Sequence, residues 1–310
     1  KTIWPPRSPG PGPMSISRSA ASITAAWLRS SPLPPAIAAS SVPVHTSDTI
    51  MRLPALPERL LIVGGGFIAA EMAHVFGSLG TRVTLAVRGD GMLRHHETEV
   101  HQAVDAAAAD AWDLRTGVEV TGLEQGDAGV VASLSDGSTV TVDEVLVAVG
   151  RAPSTEGLGC DAAGIDLHPD GRVVVDGHGR TTADGVWALG DVCSPEQLKH
   201  VANQQARVVA HNLAHPDDLR SFRLDAVPSA VFTHPQVAAV GMTTAQAQEA
   251  GHDVVRYVQD YGATAYGWAL EDETSRCVLV GDRRTGALLG AHLVGPQASV
   301  IIQPLIQAIS

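Results

Sequence analysis

The stretch "RLLIVGGGFIAAEMAHVFGSLGTRVTLAVRGDGMLR", residues 59–94, decides the fold because it reads as strand, glycine turn, helix and strand in succession. Residues 60–63 form an uninterrupted apolar run, which is typical of a parallel strand buried on both faces. Apolar residues then recur at helical spacing up to Gly80, and residues 82–87 form a second strand-like run. This order predicts a βαβ unit in an α/β fold.

The turn before the helix follows the pattern GxGxxA, carried by Gly64, Gly66 and Ala69. Gly64 would permit the tight turn, Gly66 would let a pyrophosphate approach the backbone, and Ala69 would let helix and strand pack closely. The pyrophosphate would then lie at the positive end of the helix dipole. We therefore expect a dinucleotide site; the alternative is a plain glycine turn in an ordinary βαβ unit.

Two arginines follow the second strand, Arg88 at its end and Arg94 six residues later. This strand end faces the 2′ position of the adenosine ribose, where a carboxylate suits a free hydroxyl and an arginine suits a 2′-phosphate. Since hydrogen bonds to charged groups contribute roughly 1.5–3 kcal/mol each, the pair would favour NADPH over NADH by about 10²–10⁴-fold before solvent screening. The alternative is two solvated surface arginines.

The composition restricts the partners of the chain. The 310 residues carry a formal net charge of −12, which argues against nucleic acid or an anionic membrane as the main partner. No apolar run approaches the roughly 20 residues of a membrane span. Cys160, Cys193 and Cys277 form no CxxC or CxxxxC pair, so neither a disulfide framework nor a zinc knuckle is predicted. We expect a reducing, cytoplasmic location.

The beginning of the chain differs from the rest. Residues 1–47 contain no Asp or Glu, and "WPPRSPGPGP" at residues 4–13 is too rich in proline for a helix or a central strand. A disordered tail, a transit peptide and an out-of-frame segment that ends near Pro34 all fit this composition.

Several downstream patterns extend this architecture. Asp136 and Gly137 predict a hairpin within an antiparallel meander whose last strand covers residues 145–149. Helices are predicted at residues 244–251 and 299–310. Residues 259–272, "QDYGATAYGWALED", are predicted to be β-like, with their aromatic side chains in a domain core or at a dimer contact.

One group of three histidines is a candidate set of metal ligands. His95, His96 and His101 are close in sequence, but no i, i+4 histidine pair with a carboxylate is present. A solvated loop is therefore favoured over a metal site. Glu97 and Glu99 are predicted to lie in the first turn of the next helix, where the helix dipole favours them.

Four motifs in a fixed order carry a family resemblance. They are GGGFIAAE (64–71), LVAVGRAPS (146–154), TTADGVWALGDV (181–192) and VPSAVFTHPQVAAVGMT (227–243). Together they resemble the pyridine nucleotide–disulfide oxidoreductases, of the class that contains glutathione reductase. Several further stretches resemble the members that reduce mycothiol disulfide with NADPH.

The resemblance implies a fold and a set of domains. The fold is α/β, with FAD/NAD(P)-binding Rossmann-like domains in a three-layer ββα organisation, followed by a partial α+β dimerisation domain. Residues 1–46 would be an atypical Pro/Ser-rich segment with a remnant of the FAD domain. Residues 47–150 would bind NADPH, residues 151–223 would return to the FAD domain, and residues 224–310 would form the interface of a homodimer.

The resemblance also implies site residues for two cofactors, NADPH and FAD. Glu71 matches a position that contacts the nicotinamide, and Phe67 stands where many members have a tyrosine over the flavin. Asp191 matches the carboxylate that binds the ribityl chain, and Lys199 and Ala202 lie where the next helix passes the flavin. The positions that match NADPH contacts, together with the glycine turn, are Gly64, Gly65, Gly66, Ile68, Arg88, Arg94 and Gly150.

The implied activity is transfer of a hydride from NADPH through FAD and a redox disulfide to a small-molecule disulfide. The sequence lacks the CxxxxC pair and the His–Glu acid/base segment, so no catalytic residue is assigned and truncation at both ends is expected. Cys193 is interpreted as a buried small side chain. The alternatives are an NADPH-binding fragment or pseudoenzyme, which is how the chain as written is expected to behave, and a dihydrolipoyl dehydrogenase-like activity.

Overall fold

The computed structural model describes residues 22–24 and 28–310, with the backbone alone for residues 22–24, 28 and 29. The predictions for residues 1–21 and 25–27 lie outside the described residues. The strands are β1 (Ser22–Thr24), β2 (Leu28–Ser30), β3 (Arg59–Val63), β4 (Arg82–Val87), β5 (Asp113–Thr116), β6 (Val120–Gly126), β7 (Gly129–Leu134), β8 (Thr139–Val142), β9 (Glu144–Val147), β10 (Arg151–Pro153), β11 (Val186–Ala188), β12 (Ser229–Val231), β13 (Gln236–Gly241), β14 (Val254–Asp260), β15 (Arg276–Asp282) and β16 (Leu288–Gly295). The helices are α1 (Pro35–Ala38), α2 (Phe67–Ser78), α3 (Thr98–Ala111), α4 (Lys199–Ala214), α5 (Thr244–Glu249), α6 (Ala265–Ala269), α7 (Ala298–Ile301) and α8 (Gln303–Ile309).

A parallel sheet with the order β5-β4-β3-β9 forms the centre of the nucleotide-binding part. Side chains alternate across a strand, so β3 contributes to two cores. Leu60 and Ile62 pack with residues of α2 and α3 on one face. Leu61 and Val63 pack against the antiparallel meander β6-β7-β8 on the other face. This produces meander, sheet and helices in three layers, which confirms the predicted ββα organisation.

The meander and its hairpin follow the sequence prediction, with one correction. β7 and β8 pair antiparallel around Asp136 and Gly137. The strand predicted at residues 145–149 is observed at Glu144–Val147, and it pairs in parallel with β3. Its residues 145–147 are buried in the central sheet, which is why they read as a continuous apolar run.

Residues 151–223 return to elements that lie outside the central sheet. β11 pairs in parallel with β1, and β10 pairs antiparallel with β2. A short 3₁₀ turn at Gly190–Val192 follows β11, and the 16-residue helix α4 packs against it. This arrangement places the ALGD motif beside α4.

The last part of the chain, called here the interface domain, is a five-stranded antiparallel sheet with α5 to α8. Its strand order is β12-β13-β16-β15-β14. Ala238, Leu293 and Ile302 belong to a core between this sheet and the last two helices. The helix predicted at residues 299–310 is two short helices, with Pro304 in the first turn of the second.

The prediction for residues 259–272 is wrong in its second half. β14 ends at Asp260, a 3₁₀ turn covers Tyr261–Ala263, and α6 begins at Ala265. Tyr266 is 71 % exposed and Trp268 is 77 % exposed, so these two rings lie outside the core of the chain. The Thr264 side chain caps α6 by accepting a hydrogen bond from the Gly267 N–H, a local contact that overrides the β-like composition.

Candidate functional site

The glycine turn between β3 and α2 can only be built with glycine at its first position. Gly64 has φ +131°, and its N–H donates to the Ala86 oxygen at 3.0 Å. A Cβ at this position would lie 2.3 Å from the Ala148 oxygen. The turn therefore packs tightly against the carboxyl ends of the two neighbouring strands β4 and β9, and the positive φ of Gly64 agrees with the tight turn that the sequence predicted there.

The next two glycines have different surroundings, one packed against β4 and one open. Gly65 leaves no room for a side chain, because a Cβ would lie 2.7 Å from Val87 Cγ1. Gly66 is the N-cap of α2, and a Cβ there would meet nothing within 4 Å. Among the residues that the structure describes, no side chain caps this helix start, so the N–H groups of its first turn are available to an anion.

A cavity of about 1140 Å³ lies at this edge of the sheet. It is lined by the glycine turn, by the segment after β4, by residues 118–121, and by residues 31–37 and 148–151. Its size exceeds the usual range for drug-sized ligands, about 300–1,000 Å³, and suits an extended dinucleotide. Phe67 and Ile68 line it at the start of α2, and Phe67 is 44 % exposed.

Both predicted arginines reach the same cavity. The Arg88 side chain is 83 % exposed, and its Nε lies 3.9 Å from Glu119 Oε1. Arg94 donates from Nη1 to Asp90 Oδ1 at 3.2 Å. The Arg94 guanidinium covers Gly89, where a Cβ would lie 2.6 Å from its Cζ. The absence of a side chain at Gly89 thus allows this arginine to fold back toward the cavity.

Gly150 and Arg151 close the cavity on the side of the first two strands. Gly150 has φ +135°, and its oxygen accepts the Ser31 N–H at 3.0 Å. Arg151 Nη1 donates to Ser47 Oγ at 2.9 Å and to Asp48 Oδ1 at 3.0 Å. These contacts attach the segment after β2 to the end of the central sheet.

Glu71 points away from the arginines. Its Oε1 accepts the backbone N–H of Phe232 at 3.0 Å, which links α2 to the interface domain. Glu71 is not among the residues that line the cavity. Its contact with a nicotinamide stays a prediction.

The remaining predicted residues gather beside α4. Gly190 has φ +73° and packs against Ala202, with 3.3 Å between an added Cβ and the Ala202 side chain. The Gly190 N–H donates to Gln205 Oε1 at 2.6 Å, and Lys199 begins the helix. Asp191 follows, and burial raises its pKa while Arg151 acts in the opposite direction. Among the described residues, no side chain donates a hydrogen bond to Asp191, so its carboxylate can accept one from a ligand hydroxyl.

The cysteines are not arranged for redox chemistry. All three are free thiols, and Cys193 is 4 % exposed, which confirms its interpretation as a buried side chain. Burial raises the pKa of Cys193 to about 12, so the thiolate is strongly disfavoured. Across residues 22–24 and 28–310, no group of three or more His, Cys, Asp and Glu side chains is placed to hold a metal ion. Within these residues, every helix falls short of the length or the apolar character that a transmembrane span requires.

The histidine loop is less solvated than predicted. His95 is exposed, but His96 packs between His95 and the buried His292, with ring centroids 4.4 and 6.5 Å away. Burial, followed by the charges of the neighbouring imidazoles, lowers the pKa of His96 to about 3. The ring is therefore neutral at physiological pH. His292 comes from β16, so local sequence patterns contain no signal for this contact.

Sequence reasoning also missed the role of Glu97. Its position at the start of α3 was predicted, and it is the N-cap of that helix. However, its carboxylate is buried against the interface domain, where it meets Thr244 and Arg256. These partners are 147 and 159 residues away in sequence, so no local spacing could have indicated them.

Comparisons with known proteins agree with this architecture. Residues 26–206 match the model of the pyridine nucleotide-disulphide oxidoreductases, and residues 227–310 match the dimerisation domain of the same proteins. The chain is 51 % identical over 282 residues to mycothione reductase from Mycobacterium tuberculosis, which covers 90 % of this chain and 61 % of that protein. It is 33 % identical over 303 residues to glutathione reductase from Burkholderia cepacia, covering 96 % and 67 %.

Solved structures give the same result. LpdA from Mycobacterium tuberculosis superposes with a TM-score of 0.79 at 28 % identity, covering 93 % of this chain and 62 % of that one. The HOCl-induced flavoprotein disulfide reductase RclA from Escherichia coli superposes with 0.82 at 26 % identity, covering 93 % and 66 %. The chain thus spans about three fifths of the length of mycothione reductase. With both its nucleotide-binding and its interface parts matched, the chain belongs to the pyridine nucleotide-disulphide oxidoreductase family.

Proposed function

We propose that this chain provides the NADPH-binding site and the interface domain of a flavin-dependent reductase whose substrate is a low-molecular-weight disulfide, specifically mycothiol disulfide. The observation that carries the proposal is the pair Arg88 and Arg94 on the same cavity as the glycine turn. An arginine pair at this strand end fits a 2′-phosphate and therefore NADPH. The substrate is proposed from the 51 % identity to mycothione reductase.

The geometry supports a specific role for each residue of the nucleotide site. The N–H groups at the start of α2 would hold the pyrophosphate, with Gly64 and Gly65 letting the turn pack against the neighbouring strands and Gly66 leaving the space in front of the helix start open. Ile68 and Gly150 would line the bound nucleotide. Glu71, held by the Phe232 N–H, would face the nicotinamide end with a fixed orientation.

FAD would lie beside α4. Asp191 would accept a hydrogen bond from a ribityl hydroxyl, and Lys199 and Ala202 would line the passage of the flavin along the helix. Gly190 supports this fit because it lets the backbone approach α4 closely. When bound, the flavin supplies two-electron transfer between NADPH and a disulfide.

The domain division is part of the proposal. Residues 1–46 and 151–223 would belong to the FAD domain, residues 47–150 to the NADPH domain and residues 224–310 to a homodimer interface. The match to a dimerisation domain supports the dimer. We place the activity in the cytoplasm, because NADPH-linked thiol reduction belongs to a reducing compartment.

The test is spectroscopic and enzymatic. Purified protein loaded with FAD should show a flavin absorption spectrum that NADPH bleaches. A form of the protein that also carries the redox cysteine pair should oxidise NADPH when mycothiol disulfide is added. The 310 residues contain no CxxxxC pair, so by themselves they are expected to bind NADPH without turning over a disulfide. Bleaching by NADH in preference to NADPH, together with activity on lipoamide, would contradict the proposal and favour a dihydrolipoyl dehydrogenase.

A further inference from the structure

The segment between β4 and α3, residues 88–97, is called here the arginine loop because it carries Arg88 and Arg94. Its middle is fixed to the nucleotide-binding part of the chain. The Leu93 N–H donates to the Gly65 oxygen at 2.8 Å, and Leu93 is buried with φ +51°. The Met92 N–H donates to Asp105 Oδ1 at 2.8 Å. The glycine turn and the arginine loop are thus joined directly.

The end of the arginine loop is fixed to a different domain. Glu97 accepts hydrogen bonds from the backbone N–H of Thr244 and, at 3.1 Å, from its hydroxyl group. Arg256 Nε donates to the same carboxylate at 3.3 Å. Thr244 is the first residue of α5 and Arg256 lies in β14, so both partners belong to the interface domain. Glu99 adds a second ion pair to Arg256.

Loss of these hydrogen-bond donors would be costly in free energy, because water cannot easily replace them at the Glu97 carboxylate. Its side chain is only 5 % exposed, and a buried carboxylate without donors is strongly disfavoured. His96, packed against His292, occupies the neighbouring position. The donors to the Glu97 carboxylate therefore come from the interface domain, while its backbone oxygen accepts the N–H groups of Val100 and His101 in α3.

Arg94 lies three residues before this anchor and has little support of its own. Its side chain is 57 % exposed, and its ion-pair partner Asp90 is 85 % exposed and belongs to the same loop. An exposed pair of this kind contributes little rigidity. The anchors at Leu93 and Glu97 therefore determine the position of the backbone from which the Arg94 side chain extends.

We infer that Glu97 is a positioning residue for 2′-phosphate recognition: by holding the end of the arginine loop on the interface domain, it places Arg94 for the extra phosphate of NADPH. The preference for NADPH then depends on the correct seating of the interface domain. This inference rests on the proposed function, because it assumes that Arg94 contacts the 2′-phosphate.

The test compares dissociation constants of the 310-residue chain for NADPH and NADH. The measured quantity is the dissociation constant for NADH divided by that for NADPH, called here the ratio. Overall destabilisation weakens the binding of both nucleotides together and leaves this ratio unchanged. In Glu97→Gln the ratio should fall about two- to fivefold, because an effect that acts through Arg94 cannot exceed the roughly fivefold contribution of an exposed arginine. Thr244→Ala, which removes one of the donors, should lower it about twofold.

Two controls separate positioning from general stability. Asp272 is another carboxylate of the interface domain and accepts the backbone N–H groups of Thr274 and Ser275 in the turn before β15, so Asp272→Asn should leave the ratio unchanged. In an Arg94→Met background, Glu97→Gln should have no further effect on the ratio, because its influence acts through Arg94.

An unchanged ratio in folded Glu97→Gln, or a residual effect of equal size in the Arg94→Met background, would overturn the inference. If Glu97→Gln does not fold, Thr244→Ala takes its place: an unchanged ratio in this variant, or an equal effect in the Arg94→Met background, would overturn the inference. A wild-type ratio near one would overturn the proposed NADPH preference, and the inference with it. A high wild-type ratio that is insensitive to Glu97 would overturn the inference alone.

Discussion

Replacing Arg88 by methionine is the most direct test of the nucleotide assignment. The side chain keeps its length and loses its charge. Arg88 is 83 % exposed, and its ion pair with Glu119 is long, at 3.9 Å. Arg94 is 57 % exposed. Solvent therefore screens both guanidinium groups, and the contribution of each to a phosphate contact lies nearer the roughly 1 kcal/mol of exposed ion pairs than the full value of a buried charged hydrogen bond.

This exposure lowers the selectivity expected from the sequence. About 1 kcal/mol from each arginine corresponds to about fivefold each, or about 30-fold for both together. Arg88→Met should therefore weaken NADPH about fivefold and leave NADH unchanged. The loss should be larger at about 10 mM salt and nearly vanish at about 1 M, where the Debye length falls from about 30 to about 3 Å.

The assay is a fluorescence titration of both nucleotides with the wild type and with a matched control variant. Arg82 starts the same strand at its opposite end, is 75 % exposed and also lies 3.9 Å from a single glutamate, Glu58. Arg82→Met changes the net charge by the same amount, so comparison with it separates the specific loss at Arg88 from any general electrostatic effect. Equal losses for NADH and NADPH in Arg88→Met, or an equally large NADPH loss in Arg82→Met, would refute the assignment of Arg88 to the 2′-phosphate.

Three further predictions concern the same region. Gly64→Ala should destabilise the chain by about 3 kcal/mol or more, because this residue has a positive φ and an added Cβ would meet a backbone oxygen at 2.3 Å. Gly66→Ala is the control: an added Cβ there meets no described atom within 4 Å, so this variant should unfold in denaturant almost like the wild type. Glu119→Gln should tighten NADPH binding about two- to fivefold by removing the carboxylate that competes for Arg88; no change in a titration would contradict that competition. The pKa of His96 is lowered to about 3, so the unfolded chain binds a proton below pH 6.5 that the folded chain does not, and stability falls as the pH drops. Between pH 7 and pH 5 this group should cost about 2 kcal/mol of unfolding free energy, and His96→Gln should abolish that part of the loss in denaturant titrations.

Local patterns determined the core of the nucleotide-binding unit. Strand, glycine turn, helix and second strand are close in sequence, and the requirement of Gly64 for a positive φ is a property of a single residue. The same holds for the hairpin at Asp136 and Gly137. Arg88 and Arg94 could be placed on one cavity because both follow the same strand within one short loop.

Only the tertiary structure decided the contacts between side chains and residues that lie far apart in sequence. Glu71 meets the Phe232 N–H, Glu97 meets Thr244, and His96 meets His292, each across more than 140 residues of chain. The error at Trp268 has two parts: its helix depends on the local cap at Thr264, which the β-like interpretation overlooked, and its exposure depends on what packs nearby. Periodicity and turn chemistry record interactions between near neighbours, whereas contacts between domains arise from the packing of whole surfaces, and no short sequence pattern encodes them.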